Sequence, residues 1–159
     1  MPDNRNFQGS RGADGKPPPP PVTIGSFYKD GTKNPKDDLF EETARKIAES
    51  FFRDKYVCVT KTQIRRLFDE VKRFVQLLDI SEEQWEAQKP YIRMISSKAS
   101  YSIARAIEKN RDAEGVYKNL RDFITQGIKQ VHDADDFRVF AALFEAAYGF
   151  YYEINHNKD

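Results

Sequence analysis

The residues best suited to chemistry in this chain are cations, and they cluster. From Lys89 to Lys109 the sequence reads KPYIRMISSKASYSIARAIEK, with Lys89, Arg93, Lys98, Arg105 and Lys109 set against a single acid, Glu108. At ~100° per residue on a helix, Ile92, Ile95, Ala99, Ile103 and Ala106 fall on one side. Lys98, Tyr101, Ser102, Arg105 and Lys109 fall on the other. A front of cations, an aromatic and hydroxyls matches a polyanion such as a nucleic-acid backbone better than a small substrate. A second group, Lys61, Arg65 and Arg66, precedes it. There, Arg65–Asp69 and Arg66–Glu70 are spaced for helical ion pairs worth only ~0.2–0.5 kcal/mol each. The residues four away from Lys98 and Arg105 on the same helix are not acidic, so these two are expected to stand uncompensated. Tyr101 is placed equally well to stack on a base or to pack at the helix edge.

Other chemistry finds little support. His132, His156 and Cys58 are too few and too scattered for a zinc site. Asp133, Asp135 and Asp136 could attract Mg²⁺, but their place at a helix start favours capping. His132 is expected to close the fourth helix, where an imidazolium meets the negative end of the dipole. No glycine loop cradles phosphate, and no nucleophile is paired with a base. The expectation is a protein that is not an enzyme and uses no cofactor. No element that reads base sequence is evident, so contact with backbone and shape is expected. A lone cysteine excludes an intrachain disulfide. With no long apolar run and no signal-peptide layout, a soluble cytoplasmic protein with no membrane contact is expected.

The net charge is +1, so any pull on a polyanion must come from where the charges lie. Residues 60–130 carry 14 bases against 10 acids, whereas residues 131–159 carry 2 against 6. A basic working face and an acidic or neutral docking face would follow.

The elements that must position these residues are helices. Residues 1–34, with Gly9, Gly12, Gly15 and the run Pro17 to Pro21, read as a disordered tail that bears a short polyproline rod. Residues 35–159 read as a single-domain, all-α bundle of about five helices. The first is expected to open with Asn34 as cap and Pro35 in its first turn, and to bury Phe40, Ala44, Ile47, Ala48, Phe51 and Phe52. The second opens at Thr60 or Thr62, with Thr60-x-x-Gln63 in the form of a capping box, and has a broad apolar face of Ile64, Leu67, Phe68, Val71, Phe74, Val75 and Leu78. Ser81-x-x-Gln84 has the same form. Pro90 should kink or break the third helix. The fourth spans about 116–132. The fifth, from near Asp135, is apolar almost all round, so it is buried centrally or lies at a subunit contact.

Three patches resemble one family, the small helical subunit of the type III-A CRISPR Csm effector complex. Thr60-Lys61-Thr62-Gln63-Ile64-Arg65-Arg66-Leu67-Phe68 is similar to its threonine, glutamine, apolar, arginine helix opening. Lys98-Ala99-Ser100-Tyr101 followed by Arg105 is similar to its lysine, small, small, tyrosine, then arginine pattern. Phe137-x-x-Phe140 followed by Phe144-Glu145-Ala146 is similar to its closing aromatic helix. The family's usual ending, a tyrosine followed by basic residues, is replaced here by Tyr148-Gly149-Phe150-Tyr151. No RNA contact is therefore carried over to the last helix. The resemblance implies a non-catalytic subunit present in several copies along a ribonucleoprotein filament, in antiviral defence. Its implied partners are guide RNA, target RNA and the other Csm subunits, with self-association along the filament or as a dimer. By carry-over, the RNA-binding residues would be Lys61, Arg65, Arg66, Lys98, Tyr101 and Arg105. The competing reading is a helical protein-interaction adaptor that binds no nucleic acid.

Overall fold

The computed structural model describes residues 16–80 and 83–157. Its elements are α1 (Ala44–Glu49), entered through a π-helical turn over Leu39–Thr43, α2 (Lys61–Ile80), α3 (Gln84–Lys109), α4 (Glu114–Lys129) and α5 (Ala134–His156). A 3₁₀ turn, Arg111–Ala113, joins α3 to α4. No β-strand is present among the described residues beyond two isolated bridges, Tyr28 with Pro35 and Phe52 with Cys58. The all-α bundle is as the sequence patterns require.

α5 is the central column. Phe137, Phe140, Leu143, Phe144, Ala147 and Tyr151 are all buried, and α5 packs against α1, α2 and α4. Phe123 of α4 meets Phe140 and Phe144 at ring-centre distances of 5.7 and 5.2 Å, and Phe68 of α2 meets Phe144 at 5.4 Å. Such tilted aromatic pairs add ~0.5–1.5 kcal/mol each beyond their buried area. Gly127 allows α4 to approach this column, because a Cβ there would overlap the Phe140 ring. α3 lies outside the column and packs on α2 and α4.

Several expectations are corrected. Residues 16–34 do not behave as a free tail. From Pro20 to Phe27 the chain lies extended along α4, with Val22, Ile24 and Phe27 buried. Three amides, Asn119 and Gln126 of α4 and Gln130 at its C-terminal cap, fall on one stripe and hydrogen-bond this strap. They accept from the backbone N–H groups of Val22, Ile24 and Phe27 at 3.2, 2.8 and 3.2 Å. They donate to the carbonyls of Pro20, Val22 and Gly25 at 3.3, 2.9 and 2.9 Å. Side-chain amides thus supply the ladder that a second strand would otherwise provide. The low apolar content of this segment hid three well-spaced anchors.

The first helix starts at Leu39, not at Pro35. Residues 27–36 form a turn in which Lys29 N–H donates to Asn34 O and Lys36 N–H to Phe27 O, both at 2.9 Å. Gly31, with φ +70°, sits at its tip. Leu39 is therefore the buried residue there, and Phe40 is exposed. Pro90 does not break its helix; α3 runs through it from Gln84 to Lys109. The Thr60 cap forms, with its hydroxyl accepting from Gln63 N–H at 3.3 Å. Ser81 of the second expected capping box lies outside the described residues.

The turn is locked to α5 by a buried carboxylate. Asp133 caps α5, accepting from Asp136 N–H at 2.8 Å. Asp136 accepts from the Tyr28 hydroxyl at 2.5 Å, from Lys33 Nζ at 2.6 Å and from His132 N–H at 3.0 Å. Burial alone would raise its pKa. The bonds from Lys33, Tyr28 and His132 outweigh burial and hold it below the ordinary carboxylate value. A carboxyl depressed in the fold stabilises fully above its unfolded value of about 3.9, and that stabilisation is lost as pH falls through the lower folded value.

Two measurements test these contacts. Gly127→Ala should cost about 1–3 kcal/mol by overpacking, read as a lower urea midpoint. Asp136→Asn should cost about 2 kcal/mol at neutral pH through weakened charge-assisted bonds, and its deficit relative to the parent chain should shrink as the pH drops below about 4.

Candidate nucleic-acid interface

α2 and α3 pack antiparallel, and their exposed edges form a seam. Ser102 Oγ donates to Gln63 Oε1 across it at 2.8 Å, and Lys98 Nζ pairs with Glu70 Oε1 at 2.8 Å one step further along. The apolar back of α3 is buried as its spacing requires, with Ile92, Ile95, Ala99, Ile103 and Ala106 all at 7% exposure or less. That burial fixes the helix's rotation and turns Tyr101, Arg105 and Lys109 toward the seam. A shallow groove of about 460 Å³ is lined there by Gln63, Arg66, Tyr101, Ser102, Arg105 and Lys109, with Ala106 at its floor.

The six expected site residues divide into three sets. Arg66, Tyr101 and Arg105 converge in the groove. Arg105 Nη1 donates to the Tyr101 hydroxyl at 3.1 Å, a bond that raises the guanidinium pKa further. Neither Arg66 nor Arg105 has a carboxylate partner within 4 Å among the described residues. The expected Arg66–Glu70 pair is absent because Glu70 turns toward α3 instead.

Lys98 forms the second set and corrects the reading of uncompensated charge. Glu70 holds it, and also accepts from Arg73 Nη2 at 3.0 Å. The bond from Arg73 is the main cause holding Glu70 below its ordinary pKa; Lys98 adds to it, against the opposing effect of partial burial. Only same-helix neighbours are visible in a spacing argument, and Glu70 arrives from another helix. Lys98 nonetheless remains about half exposed, at 51%.

Lys61 and Arg65 form the third set and leave the groove. Lys61 Nζ sits 5.4 Å from the Tyr152 ring, on the α5 flank of α2. Arg65 faces solvent and pairs with Asp69 at 3.7 Å, as its spacing predicts. At 100° per residue, three basic positions spread over six residues cannot share one narrow face.

Two further assignments shift. Arg93, rather than His132, closes α4: its guanidinium donates to the carbonyls of Val131 at 2.8 Å and Ile128 at 3.5 Å. His132 lies past the helix end, which is at Lys129. The groove also gains Gln63, which the capping box was expected to occupy; Thr60 N–H is met by the Tyr117 hydroxyl at 3.3 Å instead. Lys109 was visible in the α3 pattern and lines the groove as that pattern implied.

No helix of the described residues is long and apolar enough to cross a membrane. A family model described as Csm2 Type III-A matches residues 34–154. No curated protein and no solved structure shows significant similarity to the chain. The matched span takes in the whole α2–α3 seam and begins at Asn34, within the turn that follows the strap.

The different duties of the cations are separable by stability. Arg93→Ala should lower the unfolding free energy by about 1 kcal/mol, as the carbonyls of Ile128 in α4 and Val131 just past its end lose a charged donor. Arg105→Ala should stay within about 0.5 kcal/mol of the parent chain, both read by denaturant titration.

Proposed function

The chain belongs to the Csm2 family and is a small subunit of the type III-A CRISPR complex, and from this we propose that its α2–α3 seam holds RNA by the sugar–phosphate backbone. One observation carries the reading: Arg66, Tyr101 and Arg105 meet in a single groove, and among the described residues neither arginine has a carboxylate within 4 Å. A phosphate entering it would be met by charge-assisted bonds from two guanidiniums. Ser102 and Gln63 supply hydroxyl and amide groups of the kind that contact sugar and phosphate oxygen. These contacts hold guide or target RNA without reading its bases.

The role is non-catalytic. No base, nucleophile or leaving-group acid is positioned in the groove, whose ionisable members are the cations and the Tyr101 phenol. Catalysis in the complex then falls to other subunits, and this chain supplies charge and shape in the cytoplasm, with the remaining Csm subunits as its neighbours. Lys98 contributes only when phosphate displaces Glu70 from it, so its share is smaller than that of Arg105. Lys61 and Arg65, outside the groove, would meet RNA only if the strand wraps over the outer face of α2.

Salt dependence tests this directly. Arg105→Ala should weaken RNA retention about equally for unrelated sequences and flatten the log–log salt slope by about 0.7–0.9. Lys98→Ala should flatten it less. An unchanged slope in both variants removes the groove from the interface. Association with protein partners but with no RNA at low salt supports the adaptor reading instead.

A further inference from the structure

The same face of α3 carries more than the groove already described. Tyr91, Met94, Lys98, Tyr101 and Arg105 lie within an arc of about 80° on α3. They form one stripe along the α2 side that runs for about 21 Å. Tyr91, Met94 and Tyr101 are 57%, 46% and 66% exposed, although large apolar side chains are usually drawn inward. Tyr91, Met94 and Lys98, with Arg73 and Leu77 from α2, line a second shallow depression of about 450 Å³. The Tyr91 hydroxyl makes no hydrogen bond within the described residues. No hydrogen bond among the described residues accounts for this ring's position.

We infer that Tyr91 and Tyr101 are both base-stacking platforms and that the seam takes its RNA as a single strand. This rests on the function proposed above and narrows it. The stripe alternates aromatic and cation: Tyr91, Lys98, Tyr101, Arg105. Two rings about 15 Å apart, with cations beside them, suit a strand whose phosphates are held while its bases turn onto the rings. In an A-form duplex the bases are already stacked on each other, and a side chain reaches only sugar, phosphate and groove edges. Exposed rings therefore add affinity for single strands and almost none for duplex. Met94, between the rings, offers a polarisable apolar edge to the same bases. Lys98 and Arg73 make the stripe's charge complementary to phosphate, at the cost of displacing Glu70.

The experiment uses the full chain at low salt with a fluorescent adenine-rich RNA single strand, and with the same strand annealed to its complement. Tyr91→Ala should weaken single-strand binding about fivefold or more, and Tyr91→Phe should retain it. Neither variant should change the salt slope or the duplex affinity, and a thermal melt should show Tyr91→Ala folded. Single-strand affinity unchanged in Tyr91→Ala, or equal losses for strand and duplex, overturns the inference. So does loss of self-association with RNA binding intact, which makes Tyr91 a protein contact. If binding depends on Arg105 but not on Tyr91, this inference alone falls. If the parent chain retains neither RNA, the groove's proposed function falls with it.

Discussion

Burial of the α5 aromatic column is the constraint to which the other elements answer. A helix with Phe137, Phe140, Leu143, Phe144, Ala147 and Tyr151 around its circumference must be covered on several sides. α1, α2 and α4 do this, and each has an apolar stripe of the width required. α3 is left to pack on the outside, against α2 and α4. A peripheral helix buries one face and keeps the other in water, and that is why the cationic front of α3 is available for a partner at all.

The strap shows how a segment with few apolar residues can still be held in place. Val22, Ile24 and Phe27 alone would offset little of the entropy of ordering an extended chain. Paired backbone groups make the difference: the α4 amides satisfy both donors and acceptors, so burying this stretch leaves its polar atoms partnered. Asp136 fastens the far end, where Tyr28, Lys33 and the His132 N–H share its carboxylate. The family match begins at Asn34, so the strap precedes the matched span.

At the seam, charge is arranged unevenly. In one half, Arg66 and Arg105 have no carboxylate within 4 Å among the described residues. The other half, around Lys98 and Arg73, is held by Glu70 and floored by Leu77, Tyr91 and Met94. A surface ion pair of this kind is worth little by itself, so Glu70 orients the two cations more than it binds them. The result is a strip with fixed side-chain positions whose cations can change partner at low cost.

Much of this protein was determined along the chain. Helix class, the buried back of α3, the Thr60 cap, the Asp133 cap and the grouping of Tyr101 with Arg105 all follow from periodicity and end signals, because these are local properties of a helix. The family was legible for a related reason: its patches are short and lie on helices of clear phase. Tertiary structure alone decided the rest. It brought Glu70 to Lys98, took Arg93 to the end of α4, turned Lys61 toward Tyr152 and laid residues 20–27 on Asn119, Gln126 and Gln130. Each of these joins residues distant in sequence through side chains whose partner depends on how helices cross. Spacing along one helix carries no information about that.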